Sequence, residues 1–249
     1  MNKKEAKEIT GSLTQTSKMP GKSYSLPAWE CKTGSKLRKI KGSVCASCYA
    51  LKGNYTRYKA IKTAQYNRLE AIRHPYWVHA MIIQIKGQKY FRWHDAGDVQ
   101  DLKHLLKIFK VCQLTPETKH WMPTREAWIH KYLNKKPVNL VVRFSSHMVD
   151  FPPMAAWPTT STVVTTGASC PAPKQGNACQ DCRACWDPET KNVSYGIHWN
   201  FFQKYKLQAT GDKLQATGDK LQATGYKHQA PSDKLQASHP SATGGWVGP

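Results

Sequence analysis

The sequence predicts an α/β fold with a parallel sheet, either a partial βα barrel or an open sheet, together with a cysteine-rich loop that binds metal. Strand-like runs alternate with amphipathic helical runs, which is the pattern of parallel βα units. Several of these strands end in charged or hydroxyl side chains. Seven of the eight cysteines fall into two groups, Cys31 to Cys48 and Cys170 to Cys185. Together these observations predict a parallel-sheet fold whose loops form a metal-binding and ligand-binding site.

The first half of the chain supplies two predicted helices. The first thirty residues are polar and interrupted by Pro20 and Pro27, so we expect them to lie extended outside the core. Apolar residues then recur at helical spacing up to Ile72, with Thr56 as the expected N-cap. A second helix is predicted over 76–85.

The second half supplies the strands. They are predicted over 89–93, 120–123, 138–144 and 161–165, with a further alternation over 193–199. Helices are predicted between them over 102–112, with Leu102, Leu105, Leu106, Phe109 and Cys112 on the apolar face, and over 126–133. Because Cys112 lies alone on that face, we interpret it as a small core residue.

Polar side chains follow three of these strands. In parallel sheets the loops after the carboxyl ends of the strands form the site. The side chains gathered by this rule are His94, Asp95, Asp98, Thr124, Arg125, Arg143, Ser145 and Ser146. Each also has a structural interpretation as a turn former, a helix cap or an ion-pair partner. The turn from Asp95 to Asp98 is the strongest candidate, since Gly97 would let the backbone approach a ligand closely.

Four cysteines lie within a single loop after the fourth strand. Cys170, Cys179, Cys182 and Cys185 are separated by eight, two and two residues, and prolines and Gly176 prevent a helix there. Runs of cysteines spaced by two residues are typical of iron–sulfur clusters, whereas zinc sites usually place two Cys-x-x-Cys pairs far apart. The spacing favours a 4Fe–4S cluster over zinc. Disulfides or unliganded core thiols are the remaining interpretations.

A second group of thiols lies nearer the start of the chain. Cys45 and Cys48 can bind one metal from a single turn, and Cys31 is a candidate third ligand. Three thiolates leave an iron or zinc with an open coordination position, which suits chemistry. A structural site completed by a fourth residue from elsewhere is the alternative.

Composition limits the compartment and the partners. The 249 residues are 40% apolar, without the apolar core of a signal peptide or a run long enough for a membrane span. We therefore expect a cytoplasmic protein whose clustered thiols are metal ligands. The net charge of +21 favours a nucleic-acid partner, with a solvated basic surface as the alternative. The sequence leaves the oligomeric state open.

The last part of the chain differs in kind from the rest. From Lys206 the sequence repeats KLQATGD with decaying copies to Pro249. Each full copy offers one sizeable apolar residue and a helix-breaking Thr-Gly pair, so a coiled coil is not expected. We predict one α/β metal-binding domain over residues 1–205 and a disordered, low-complexity tail over 206–249.

Several motifs together carry a family resemblance. They are Lys18–Tyr24, Leu26–Cys31, Cys45–Tyr55, Arg92–Asp98 and the four-cysteine loop. Over roughly residues 10–200 the chain resembles the phage "gene product 88" family, which implies a phage or prophage origin. It is more distantly similar to radical S-adenosylmethionine enzymes. That likeness implies a reactive cluster on Cys31, Cys45 and Cys48, with Gly97 and Asp98 near the cofactor's amino group.

Two functional hypotheses result. One is an iron–sulfur protein, in the form of a radical S-adenosylmethionine-like enzyme that acts on a nucleic acid or nucleotide. The other is a zinc-stabilised nucleic-acid-binding protein without catalysis. The polar strand ends favour the enzyme, while the charge favours the binding protein.

Overall fold

A seven-stranded sheet forms the centre of the computed structural model, which describes residues 1–197. The strands are β1 (Thr14–Gln15), β2 (Lys22–Tyr24), β3 (Tyr90–Trp93), β4 (Lys119–Thr124), β5 (Leu140–Val149), β6 (Thr160–Val164) and β7 (Asn192–Gly196). They lie in the sheet in chain order. The pair β1 and β2 is antiparallel, and each later neighbouring pair is parallel.

Strand order equal to chain order means that every connection moves the chain one place further across the sheet. A βα barrel is assembled in this way, and here β1 and β7 form the two outer edges of an open sheet within residues 1–197. The prediction of an α/β fold with a parallel sheet is confirmed. The run Leu140-Val141-Val142 shows why β5 is central, since all three residues are buried on both faces.

Six α-helices occur among the described residues. They are α1 (Lys3–Thr10), α2 (Lys32–Leu37), α3 (Asn54–Arg57), α4 (Lys59–Ala71), α5 (Trp77–Ile85) and α6 (Leu102–Gln113). A 3-10 stretch covers Ala127–Lys135, and shorter 3-10 turns occur at Ala28–Glu30, Val44–Ser47, Tyr49–Leu51, Ala172–Lys174 and Ala184–Trp186. Helix α5 packs against α1 and α6.

The two faces of the sheet have different partners. Phe91 and Trp93 of β3 point into the main apolar core, which includes Met81 of α5 and Ile108 of α6. Arg92, between them, points to the opposite face because side chains alternate along a strand. There Trp186, in the 3-10 turn Ala184–Trp186 of the second cysteine segment, packs edge-on against Trp121 of β4.

The opening residues contradict the expectation that they lie outside the core. Residues 3–10 form α1, whose Ala6 is fully buried. Tyr24 and Leu26 are also fully buried, and the Tyr24 hydroxyl donates to the carbonyl of Thr10 at 2.8 Å. The polar composition hid this role because a two-residue and a three-residue strand carry too few apolar residues to show a pattern.

Helix details also differ from the sequence predictions. Tyr58 precedes α4 as its N-cap, whereas Thr56 lies inside α3. On α6, Leu102 and Leu106 are exposed, and the buried face includes Leu105, Ile108 and Cys112. The prediction that Cys112 is a core residue is confirmed.

Two further findings concern membrane-spanning helices and the predictions that fall beyond residue 197. None of the described helices has the length and apolar character that crossing a membrane requires. The predicted repeat tail, the domain limit at 205 and the end of the predicted last strand lie outside the described residues.

Candidate metal centre

The first cysteine group lies beyond the carboxyl end of β2. The chain leaves Tyr24, makes the 3-10 turn Ala28–Glu30, and places Cys31 as the residue before α2. Cys45 lies in the turn Val44–Ser47, and Cys48 ends it. Three short turns therefore carry the three thiols, and all three cysteines are free.

Gly34 shows that two of these thiols share one space. A Cβ on Gly34 would lie 3.6 Å from the sulfur of Cys45 and 3.7 Å from the sulfur of Cys31, and 2.9 Å from the Cβ of Cys31. The glycine has no side chain to fill the gap between the sulfurs.

Burial and charge act in opposite directions on these thiols. Burial raises the pKa of Cys31, as do Asp98, Cys48 and Cys45, while Arg125 lowers it. Burial likewise raises the pKa of Cys45, and Arg125 is the largest opposing influence. Burial therefore favours the protonated form of Cys31 and Cys45, and the Arg125 guanidinium opposes it at both thiols.

Asp98 lies near this group, and its carboxylate accepts three hydrogen bonds from within the protein. Its carboxylate accepts hydrogen bonds from the backbone N–H of Val99 at 2.7 Å, the hydroxyl of Thr124 at 2.7 Å and the backbone N–H of Arg125 at 2.8 Å. Burial nevertheless raises its pKa to about 6. Asp98 thus fixes the end of β4 and the backbone of Arg125, which leaves little of the carboxylate for a ligand.

Asp95 holds the other side of the same turn. Its carboxylate accepts from the hydroxyl of Ser23 at 2.7 Å and from that of Tyr55 at 3.0 Å, and its carbonyl accepts from the hydroxyl of Tyr49. Tyr49 follows Cys48 directly, and Tyr55 lies seven residues after Cys48. Asp95 therefore ties the segment after the three cysteines to the end of β3.

Gly97 approaches protein backbone and not open space. With φ at +82°, its missing Cβ would lie 2.5 Å from the Cβ and 2.8 Å from the carbonyl oxygen of Leu26. Leu26 also donates its N–H to the carbonyl of Ala96 at 2.8 Å. The sequence prediction identified the need for glycine correctly, but the close partner in the structure is the β2 loop.

The second cysteine group is held to the edge of the sheet. Cys170 donates its N–H to the carbonyl of Ser194 in β7 at 2.9 Å, and Cys179 donates to the carbonyl of Lys18 at 2.8 Å. Burial raises the pKa of Cys179, and the neighbouring Cys170 and Cys182 raise it further. Burial also raises the pKa of Cys185 to about 11. All four cysteines are free, and Cys170 raises the pKa of both Cys179 and Cys185.

Arg143 anchors this segment instead of lining a pocket. It lies within β5, not at its end, and is fully buried. Its guanidinium donates five hydrogen bonds of 2.7–3.2 Å, and every acceptor is a backbone carbonyl. These carbonyls belong to Thr160, Ala184, Cys185, Asp187 and Thr190. All five N–H groups are used, so this side chain has none left for a ligand.

Ser145 also has a structural partner in the sheet. Its hydroxyl lies 2.9 Å from that of Ser161 on the neighbouring β6. The pair bridges two parallel strands on the face that carries the cysteine segments. Of the predicted strand-end residues, Arg125 keeps a buried guanidinium nitrogen, Nε, and His94 keeps both ring nitrogens without a hydrogen-bond partner in residues 1–197.

Arg92 is a site residue that sequence reasoning missed. Its guanidinium lies 4.5 Å from the ring centroid of Trp121, and its Nε has no partner within the described part of the chain. Its charge acts on Tyr49 of the first group and on both Cys179 and Cys185 of the second, where it lowers the thiol pKa values. Arg92 therefore acts on the second cysteine group and on Tyr49, the residue after Cys48. The alternation of Phe91, Arg92 and Trp93 in β3 was the available signal.

Neither group has the arrangement of a completed coordination sphere. Within residues 1–197, no set of three or more Cys, His, Asp or Glu side chains is close enough to hold a metal ion as it stands. The structure thus brings the predicted cysteines into two neighbourhoods without showing a metal-binding loop.

A family model described as gene product 88 matches residues 1–188. The chain belongs to the gene product 88 family. The match includes the first cysteine group, the Asp95–Asp98 turn and all four cysteines of the second group. The family assignment supports the prediction that this is a phage protein. No curated protein and no solved structure matches the chain.

The more distant resemblance to radical S-adenosylmethionine enzymes is not supported. The matching family is a different one. Thirteen residues separate Cys31 from Cys45, whereas the radical enzymes space their cysteines by three and two residues. In this gene product 88 family member, Gly97 and Asp98 are occupied by contacts within the protein.

Proposed function

We propose that this chain is a redox metalloprotein that binds an iron–sulfur cluster at Cys31, Cys45 and Cys48. The observation that carries the proposal is the space beside Gly34, which the sulfurs of Cys31 and Cys45 both border. A three-thiolate cluster would supply one-electron chemistry and an open iron position for a ligand.

The surrounding residues support such a centre. Arg125 provides a positive charge beside the thiols of Cys31 and Cys45, which favours their thiolate forms. Asp98 holds the Arg125 backbone through a 2.8 Å hydrogen bond. Asp95 fixes the segment that follows Cys48. The chain's own residues thus orient the thiols, stabilise their charge and keep them partly out of water.

The second group supports a 4Fe–4S cluster or a zinc ion on Cys170, Cys179, Cys182 and Cys185. One observation favours a structural zinc here, namely the backbone clamp that Arg143 forms on this segment. In that alternative the protein is a zinc-stabilised nucleic-acid-binding protein. S-adenosylmethionine is a ligand to test at the first group, although Asp98 is already bonded.

Anaerobic purification with metal analysis and a visible spectrum tests the proposal. We expect iron with broad thiolate-to-iron absorption, which falls when Cys48 is replaced by Ser. Cys182→Ser should remove only the metal of the second group. Cys112→Ala is the matched control, because Cys112 lies in the apolar core, and its metal content should equal that of the wild type.

Three outcomes contradict parts of the proposal. A colourless protein that keeps zinc in air contradicts the redox function. Loss of metal in Cys112→Ala contradicts the assignment of the two groups. An iron spectrum that ignores added S-adenosylmethionine excludes that ligand and leaves the cluster itself in place.

A further inference from the structure

The surface that surrounds the first cysteine group is strongly positive. Residues 31–69 contain ten Lys and Arg and no Asp or Glu, so this segment alone contributes +10 to the chain's net charge of +21. The segment begins at Cys31 and includes all three thiols. The charge of the described protein is therefore concentrated beside the candidate centre.

Most of these charges face solvent. The exposed cations of this segment include Lys32, Lys36, Lys39, Lys41, Arg57, Lys59 and Lys62. The ion pairs of residues 1–197 join the Met1 amine to Glu5 and Arg73 to Glu70. The seven cations named here thus have no acidic partner in that part of the chain. Two other members, Arg38 and Arg68, are used within the protein, where they donate to backbone carbonyls.

Aromatic rings are interspersed among the cations. Tyr58 is 51% exposed and Tyr49 is 40% exposed. The amine of Lys62 lies 5.0 Å from the ring centroid of Trp29. Proteins that bind single-stranded nucleic acids combine cations that follow the phosphates with aromatic rings on which bases stack. The surface of residues 29–62 offers both.

The distribution of the cations favours nucleic acid over a membrane. A membrane-binding basic helix presents a broad apolar face opposite its cations. Here the cations lie on α2, the following loop, α3 and the first turn of α4, and the exposed apolar side chains Ile40 and Ile61 are isolated among them. Arg125, with its buried unpartnered Nε, continues the positive charge to the thiols.

We propose that this surface binds a single-stranded nucleic acid and brings it to the three-cysteine group. The inference rests on the proposed function for what happens at the thiols, and on charge and aromatic exposure for the binding itself. The nucleic acid would be the substrate or regulator of the centre, with phosphates on the lysines and bases on Tyr58 and Tyr49.

The test compares two charge-reversal variants of the full-length protein. The first carries Lys39→Glu, Lys41→Glu and Lys59→Glu. The matched control carries Lys103→Glu, Lys110→Glu and Lys131→Glu, three exposed lysines outside residues 31–69 with the same total change in charge. Binding to DNA and RNA oligonucleotides of about 20 nucleotides is measured across a salt series.

We expect the first variant to bind roughly tenfold more weakly or worse, and its salt slope to fall by about 2, because three phosphate contacts are lost. The control should stay within about twofold of the wild type. Equal weakening in both variants would show attraction to net charge alone and would overturn the inference. Binding to anionic vesicles without binding to oligonucleotides would overturn it as well.

Crosslinking and metal analysis separate this inference from the proposed function. Bromodeoxyuridine oligonucleotides should crosslink to peptides from residues 29–62 and not to those of α6, and crosslinks confined to α6 would contradict the inference. Metal content should be the same in the wild type and both variants. A protein that contains no metal but still binds oligonucleotides through residues 29–62 would contradict the metal centre alone. A protein that contains metal but does not bind oligonucleotides would contradict the nucleic-acid surface alone.

Discussion

The two cysteine groups differ in what holds their backbone. Residues 170–190 are fastened to the sheet by Arg143, by the bond from Cys170 to Ser194 and by Trp186, whose indole N–H donates to the carbonyl of Phe91 at 2.9 Å. Residues 31–48 form α2 and short turns, and fewer bonds tie them to the sheet, among them the bond from the Val149 N–H of β5 to the Gly42 carbonyl at 3.0 Å. One of their links to the strand ends is the bond from the Thr33 N–H to Glu126 at 2.9 Å.

This difference indicates different roles. A segment whose backbone bonds are supplied by the sheet keeps its shape whether or not its thiols bind metal. A segment with fewer such bonds would depend more on a bound metal for its final shape, because metal binding and local folding are coupled. We therefore expect the first group to be the reactive, ligand-dependent site and the second group to be the structural one.

The largest expected effect tests the anchoring of the second group. Arg143→Leu removes the donors to five buried carbonyls and should lower the free energy of unfolding by about 3–5 kcal/mol. Denaturant unfolding measures this change. Arg73→Leu is the control, since Arg73 lies on the surface in an exposed ion pair. A loss below about 1 kcal/mol in Arg143→Leu would show that the segment does not depend on the clamp.

A methyl group at Gly34 tests the first group. Gly34→Ala should abolish the proposed metal binding at Cys31, Cys45 and Cys48, because its Cβ would lie 2.9 Å from the Cβ of Cys31 and would force that side chain to shift. The second group should keep its metal. Alanine is the better helix former in α2 by roughly 1 kcal/mol, so lower helix propensity cannot cause the loss.

Gly196→Ala is the matched control for this prediction. Its Cβ would meet only an ordinary contact at 4.0 Å with Ala168. Metal analysis of both variants gives the answer. Full metal content in Gly34→Ala would mean that the space is not a metal site.

The pH dependence of stability tests the environment of Asp98. The pKa of this carboxyl is about 6 in the folded chain, above the ordinary 3.8. Between these values the folded chain holds a proton that the unfolded chain has lost, so the free energy of unfolding falls as pH rises through this window. In Asp98→Asn, the total change in the free energy of unfolding across this pH window should be smaller than in the wild type by about 1–3 kcal/mol.

The comparison for Asp98 is Asp181→Asn, because Asp181 is exposed. Denaturant unfolding at a series of pH values should give wild-type behaviour for this variant. If Asp98→Asn also keeps the wild-type profile, burial does not raise the pKa of Asp98.

The smallest expected effect concerns Arg92, whose charge acts on Tyr49, Cys179 and Cys185. In a protein loaded with iron at either cysteine group, Arg92→Gln removes a positive charge near the iron and should make its reduction less favourable by roughly 1 kcal/mol. Redox titration should show the reduction potential moving to a more negative value. An unchanged potential would show that the charge of Arg92 does not act on the iron.

The sequence by itself determined the fold class, the positions of β3, β4 and β6, the helix α6 and the core position of Cys112. These features rest on local information, since alternation and helical periodicity are visible within one segment. The spacing of the cysteines likewise identified the two groups. The run of ten cations without an acid in residues 31–69 was also readable from the sequence.

Only the tertiary structure decided which polar residues serve the site. Asp98 and Arg143 carry charges that suit a ligand, yet their partners are backbone groups up to 47 residues away and, for Asp98, the Thr124 hydroxyl as well. The need for glycine at position 97 was clear, but whether Leu26 or a ligand approached it was not. The sequence cannot settle such pairings, because any buried polar group must find a partner and residue type alone does not say which one.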